Sequence, residues 1–356
     1  MNPLHKPLLA AMLAAAPACV LAQSSLTLYG IADAGVRHVS GMTAANAASP
    51  SSTTAISSGV NNTSRFGFRG REDLGGGLYA LFNLETGLNI DTGVQANANK
   101  FFDRASYLGL GGTWGTVTAG RQLNLLADAI NPVDAVGMRF ASFNPNIVTT
   151  GVSNHGLGIE YGTSGAASGS YRLDNSLKYV GRFGPVTARL MYGFGENTGS
   201  TAAQSSTGAG LAYADGGLAV SGAYQTFKSA TGLTLEAGTL GAAYRFGSVK
   251  IAANTGRNKG ETSATARTVQ QVHSLGATWS ATASFDLTAA LYRLNRQRSG
   301  LQDDGYTRAF LFAEYKLSRR SKLYAELDRT NWRNGYQGAA NKSAATGITA
   351  GMVHTF

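Results

Sequence analysis

Side chains able to do acid–base, nucleophilic or metal chemistry are few in this chain, and they form no catalytic constellation. The histidines beyond the N-terminal segment, His38, His155, His273 and His354, share no ligand spacing. There is no HExxH, no P-loop Gly-Lys-Ser/Thr and no Gly-x-Ser-x-Gly. The one cysteine, Cys19, falls within a segment that reads as removable, so disulfides, thiolate metal sites and cysteine nucleophiles are not expected. No metal or cofactor is implied. What remains is charge: 30 Lys and Arg stand against 20 Asp and Glu, a formal net charge of +10. These basic residues stand singly along alternating segments, with no run that could serve as a nucleic-acid arm. The chemistry open to them is electrostatic, a positive lining rather than a reaction centre.

Such a lining needs a wall. The N-terminus has a short basic start at His5 and Lys6, an apolar run from Leu8 to Ala18, and Val20-Leu21-Ala22 at the cleavage positions. That pattern reads as a secretory signal peptide over residues 1–22, with the mature chain starting at Gln23 and carrying a charge of +9. The remainder holds 46 Gly in the full count, only 7 Pro, 15 Tyr, 15 Phe and 14% charged residues, where about 25% is usual. No later apolar stretch reaches the ~18 residues of a membrane helix. A membrane protein without apolar helices must close a β-barrel, because every backbone group facing lipid has to be paired.

Period-two alternation supports that wall. Leu323, Ala325 and Leu327 oppose Lys322, Tyr324, Glu326 and Asp328, and Leu173, Leu177 and Tyr179 oppose Arg172, Asp174, Ser176 and Lys178. Val186, Ala188, Leu190, Tyr192 and Phe194 likewise oppose Thr187, Arg189, Met191 and Gly193. Phe310 and Phe312 break the rule by sharing parity with Arg308 and Glu314. Tight turns such as Asp73-Leu74-Gly75-Gly76 and Phe246-Gly247-Ser248 alternate with longer polar links such as 40–62, 89–100 and 258–267. Seven short turns and eight long links predict sixteen strands, with short turns at one rim and long loops at the other. The fold expected is all-β, a sixteen-stranded antiparallel transmembrane barrel over 23–356. Its longest link, 122–170, is too long for an idle connector. The stretch Leu123 to Ile130 suits a short helix, and the link is expected to fold inward and narrow the lumen.

In order along the chain, several stretches resemble the Gram-negative general porins, the trimeric sixteen-stranded family. They are Ser25-Leu26-Thr27-Leu28-Tyr29-Gly30-Ile31-Ala32-Asp33, Ser64-Arg65-Phe66-Gly67-Phe68-Arg69-Gly70, Asp103-Arg104-Ala105-Ser106-Tyr107-Leu108-Gly109-Leu110, Thr118-Ala119-Gly120-Arg121-Gln122 and Arg172-Leu173-Asp174-Asn175-Ser176-Leu177-Lys178-Tyr179. The chain ends on an alternating strand closed by Phe356, which resembles the family's signal for the barrel-assembly machinery. The resemblance implies an outer-membrane homotrimer in contact with lipid and lipopolysaccharide, passing small hydrophilic solutes and anions by passive diffusion. It also implies a constriction in which wall arginines face acids on the third loop: Arg65, Arg104 and Arg172, with Arg121 as a fourth, against Asp128 and Asp134. The family's Pro-Glu-Phe-Gly stretch is replaced by Val136-Gly137-Met138-Arg139, which removes a loop acid and points to weak anion selectivity. A substrate-selective channel with an internal binding site, and an adhesin acting through its outer loops, are the alternatives.

Overall fold

The computed structural model describes residues 25–150, 159–164 and 171–356, so the expected signal peptide and His155 lie outside the described residues. Seventeen strands are seen among them. The first half of the wall holds β1 (Ser25–Met42), β2 (Ala48–Ser58), β3 (Arg65–Gly75), β4 (Leu78–Gly87), β5 (Ala105–Gly112), β6 (Gly115–Leu123), β7 (Arg172–Phe183), β8 (Val186–Gly193) and β9 (Ser206–Asp215). The second half holds β10 (Leu218–Lys228), β11 (Thr234–Phe246), β12 (Val249–Glu261), β13 (Arg267–Ser280), β14 (Phe285–Arg298), β15 (Asp304–Lys316), β16 (Ser321–Arg333) and β17 (Ala344–Thr355). Sixteen of them close an antiparallel barrel, as the alternation of turns and links predicts.

The extra strand is β2. One edge of β1 pairs with β17 from Ile31 to Ser40. Its other edge is divided, with Ser25 to Ile31 on β3 and Ala34 to Met42 on β2. The link over 40–62, read from sequence as polar and irregular, therefore folds back on β1. Its β-branched Thr54 and Ile56 lie opposite His38 and Val36, the pairing that half-buried pleats favour. The barrel closes through the last residue. Gly30 N donates to Phe356 O at 3.0 Å and Phe356 N returns a bond to Gly30 O at 3.1 Å. A Cβ on Gly30 would sit 2.3 Å from the Phe356 ring, so only glycine lets the terminal aromatic lie flat there.

The apolar face looks outward. Leu275, Leu291, Leu311, Leu327 and Ile348 are exposed in one band, and Phe183, Tyr244, Phe246, Trp279 and Tyr315 ring its short-turn end. An apolar surface this wide suits hydrocarbon, with an aromatic girdle at the interface. No helix among the described residues is long and apolar enough to cross a membrane, so the strands must do so.

The buried core lies inside the barrel, between the wall and the long loop after β6. Helix α1 (Leu125–Ile130) covers most of the predicted helical stretch, capped by Asn124, whose side chain accepts from Ala127 N. Its Leu125, Leu126 and Ala129 pack on Leu173, Met191, Phe227 and Leu235. Farther on, before α2 (Pro145–Thr150), Phe140 and Phe143 meet the wall aromatics Phe310 and Phe312 at ring separations of 5.0 to 5.7 Å. This settles the broken alternation on β15. Phe310 and Phe312 point inward with Arg308 and Glu314 because the loop supplies them an apolar partner.

Candidate functional site in the barrel lumen

Where α1 turns away from the wall it leaves two adjoining cavities of about 490 and 430 Å³. Both are lined by Arg65 of β3, Arg104 beside β5, Asp128 of α1, Arg172 of β7 and Arg189 of β8. Glu85 of β4 and Lys178 of β7 complete the charged lining of the larger one. Strand pairing fixes this arrangement. Arg65 lies at the β3–β4 register beside Glu85, and Lys178 and Arg189 occupy the inward faces of neighbouring strands.

Glu85 holds two of the arginines, with Arg104 Nε at 2.6 Å and Arg65 Nε at 3.6 Å. Asp128 takes Lys178 Nζ at 2.7 Å. Arg172 donates Nε to the Arg104 carbonyl at 2.6 Å and lies 4.5 Å from the Tyr171 ring centre. Arg189 has no acidic partner among the described residues, and it is half-buried in the lumen wall. Five cations thus face two carboxylates in the lining of these cavities, an excess of three positive charges. Burial pushes the phenol of Tyr171, the last loop residue before β7, upward. The charges of Arg172, Arg104 and Arg65 outweigh this and bring it below its ordinary value of 10.0.

Of the six residues expected at a constriction, the structure brings together Arg65, Arg104, Arg172 and Asp128. Arg121 and Asp134 do not border these cavities. Arg121 pairs with Asp174 at 2.6 Å and donates to the Asp103 and Ser164 carbonyls, behind the lumen lining. Asp134 is fully buried under the loop. It accepts from Val136 N at 3.2 Å, Met138 N at 2.7 Å, Tyr292 Oη at 3.0 Å and the amides of Asn144 and Asn146. Such a carboxylate is a clamp between loop and wall, because its acceptor sites are taken. Arg139, at the end of Val136-Gly137-Met138-Arg139, binds Glu314 and lies over Phe312 at 4.6 Å, so its charge is answered at the wall. Lys178, Arg189 and Glu85 join the lining without having been singled out. Alternation places Lys178 and Arg189 on the inward face, but only the inter-strand register gives their height relative to the loop.

This lumen has counterparts among known proteins. Residues 9–335 match the family described as Gram-negative porin. The chain belongs to the Gram-negative porin family. Outer membrane porin protein 32 of Delftia acidovorans is 33% identical over 261 residues, covering 70% of this chain and 68% of that one. An outer membrane porin protein of Bordetella pertussis is 34% identical over 181 residues, 48% of this chain and less than half (43%) of the relative. Among solved structures, the anion-selective porin from Comamonas acidovorans superposes with a TM-score of 0.76 at 26% identity, over 94% of this chain and all of that one. The trimer form of OmpT from Vibrio cholerae shares the fold alone, at 15% identity and a TM-score of 0.70 over 94% of this chain. Together with the outward apolar band, these relatives place this porin in the outer membrane.

Proposed function

We propose that this porin forms a water-filled channel for passive diffusion of small hydrophilic solutes and ions, with anions weakly favoured. The observation that carries the proposal is the excess of three positive charges where the long loop narrows the lumen. Charges around a narrow aqueous gap enrich counter-ions there and repel co-ions. The constriction residues on this reading are Arg65, Arg104, Arg172, Arg189 and Lys178, with Asp128 and Glu85 opposed to them. The resemblance to a structure described as an anion-selective porin points the same way. We further propose a homotrimer, in line with the trimeric OmpT structure, and recognition of Phe356 by the assembly machinery during insertion.

The test is the reversal potential of the purified porin in planar bilayers under a potassium chloride gradient. A potential of the sign set by chloride, shrinking as salt rises, is expected. Cation preference would overturn the selectivity, and absence of conductance would overturn the channel itself. Current that saturates with an organic anion would instead identify an internal binding site, with Arg189 its first candidate.

A further inference from the structure

Two hairpins at the short-turn rim are built alike and differ at one residue. Arg182-Phe183-Gly184 leads from β7 into β8, and Arg245-Phe246-Gly247 leads from β11 into β12. Each glycine has a positive φ, 59° at Gly184 and 54° at Gly247. Phe183 and Phe246 are exposed on the outer face, so the arginine before each lies on the lumen side. The registers then diverge. Arg182 lies opposite Thr187, whereas Arg245 lies opposite Lys250. Two residues nearer the constriction, Ala243 and Ala252 are paired and pack on Val133 of the long loop. Arg245 and Lys250 share their parity, so both project into the lumen between the loop and the short-turn mouth.

Directly opposed side chains on one face of an antiparallel pair have Cβ atoms about 5 Å apart, and like charges there destabilise the sheet. Nothing in the wall answers this pair. The acids of β8 to β13 are Asp215, Glu236 and Glu261, and they share parity with the outward Tyr213, Tyr244 and Ile251. Neither Arg245 nor Lys250 has an ion pair among the described residues. The other charges acting on Lys250 are Asp134 and Arg139, one of each sign, and the oxygens of Asp134 are already taken. Lys250 is half-buried and steadied by the loop, because its Nζ donates to Pro132 O at 3.3 Å. Arg245 is exposed to the lumen.

We infer that Arg245 and Lys250 form a phosphate-binding station on the short-turn side of the constriction, for inorganic phosphate or a small phosphate monoester moving through the lumen. The occupant is assigned by charge and shape. A guanidinium takes two oxygens of a tetrahedral anion side by side, and an ammonium takes a third as a point charge. Two negative charges cancel two positive ones, whereas a carboxylate would leave one cation unanswered. Both side chains point into the lumen and not at lipid, so the occupant is a dissolved solute. The inference rests on the reading of the barrel as a water-filled channel, and not on which ion the constriction favours.

The experiment is calorimetric titration of detergent-purified folded porin with inorganic phosphate, glycerol 3-phosphate and acetate at low chloride. The wild type is expected to bind both phosphates saturably and acetate more weakly. The combined Arg245→Gln and Lys250→Gln variant should bind phosphate at least about tenfold more weakly. Arg182→Gln removes the matching arginine of the other hairpin, which has no opposed cation, and should change binding by less than about twofold. Lys250→Glu places opposite charges in register. It should lose phosphate binding while its folded band survives heating at least as well as that of the wild type, so the loss cannot come from misfolding. Conductance and reversal potential are recorded on the same preparations. Their failure with phosphate binding intact would overturn the proposed function and leave the station standing. Absence of saturable binding in the wild type, equal binding by the double variant, an equal loss in Arg182→Gln, or acetate bound as tightly as phosphate would each overturn the station.

Discussion

Arg189 gives the sharpest test of the electrostatic argument, because no carboxylate among the described residues offsets it and it holds no loop in place. Consider Arg189→Gln. An ion passing about 5 Å from a unit charge in water feels about 0.8 kcal/mol, reduced to about 0.4 kcal/mol by screening at about 0.15 M salt. Removing the charge costs an anion that attraction and relieves a cation of the same repulsion, so the discrimination falls by about 0.8 kcal/mol, or roughly fourfold in the chloride-to-potassium permeability ratio. Arg189→Glu doubles the change, to roughly fifteenfold, and on this arithmetic reverses a weak preference. At about 1 M salt the screening length is ~3 Å, and the Gln variant should differ by less than about twofold. The assay is the reversal potential at both salts, with single-channel conductance recorded to show an intact pore. A Gln variant with wild-type selectivity at low salt would refute the claim that uncompensated wall charge sets the preference.

Three further outcomes follow from the same geometry. Tyr171 is neutral below its pKa and an anion above it, and the surrounding arginines bring that pKa below 10.0, so anion preference should fall as pH rises towards that range. Reversal potentials over alkaline pH, compared with Tyr171→Phe, check this, and an identical profile in the variant would count against it. Phe140→Ala empties the centre of the aromatic cluster that docks the loop on β15 and should cost ~3–5 kcal/mol of docking. The barrel should persist on heat-modifiability gels while protease nicks the loop and channel current becomes noisier. Gly30→Ala drives a methyl group into the Phe356 ring, so the folded band should be lost at a lower temperature than in the wild type.

The wall was legible from sequence because a strand's side chains have a period of two and the two solvents, lipid and water, differ sharply. Glycine-rich turns then marked strand ends, as at Asp73-Leu74-Gly75-Gly76 between β3 and β4 and Phe246-Gly247-Ser248 between β11 and β12. The exceptions have local causes. β5 begins at Ala105 rather than near Phe101 because Asp103 accepts from Gly87 N at 2.7 Å and holds the preceding residues in a turn. β2 was hidden because Thr and Ser satisfy both a polar loop and an edge strand. For the site, the arginines embedded in strand motifs could be placed, since motif and parity agree on Arg65 and Arg172. Arg121 shows where this fails. The chain bulges between Gly120 and Gln122, which turns its guanidinium towards Asp174. Asp134 fails for another reason, because spacing along a loop does not say which side of the loop faces the wall.

On the proposed reading, the loop also explains how a positive lumen coexists with a constriction. A loop held mainly by ion pairs across the pore would have to spend the wall arginines on its own carboxylates. Here the docking is largely apolar and lies on one side, through Leu125, Leu126, Phe140 and Phe143 against β7 to β15. The buried loop acid, Asp134, is satisfied by amides and a phenol rather than by guanidinium. Arg139 finds its counter-charge in Glu314 on the wall beneath the loop. Among the described residues of the loop, Asp128 alone presents a carboxylate to the cavities, and that acid is answered by Lys178. The arginines of β3 to β8 keep an excess of charge because the apolar docking of the loop does not depend on neutralising it. Loop position and lumen charge are in this way independent. Substitutions in the aromatic cluster should alter gating and noise, whereas substitutions at Arg172 and Arg189 should alter selectivity.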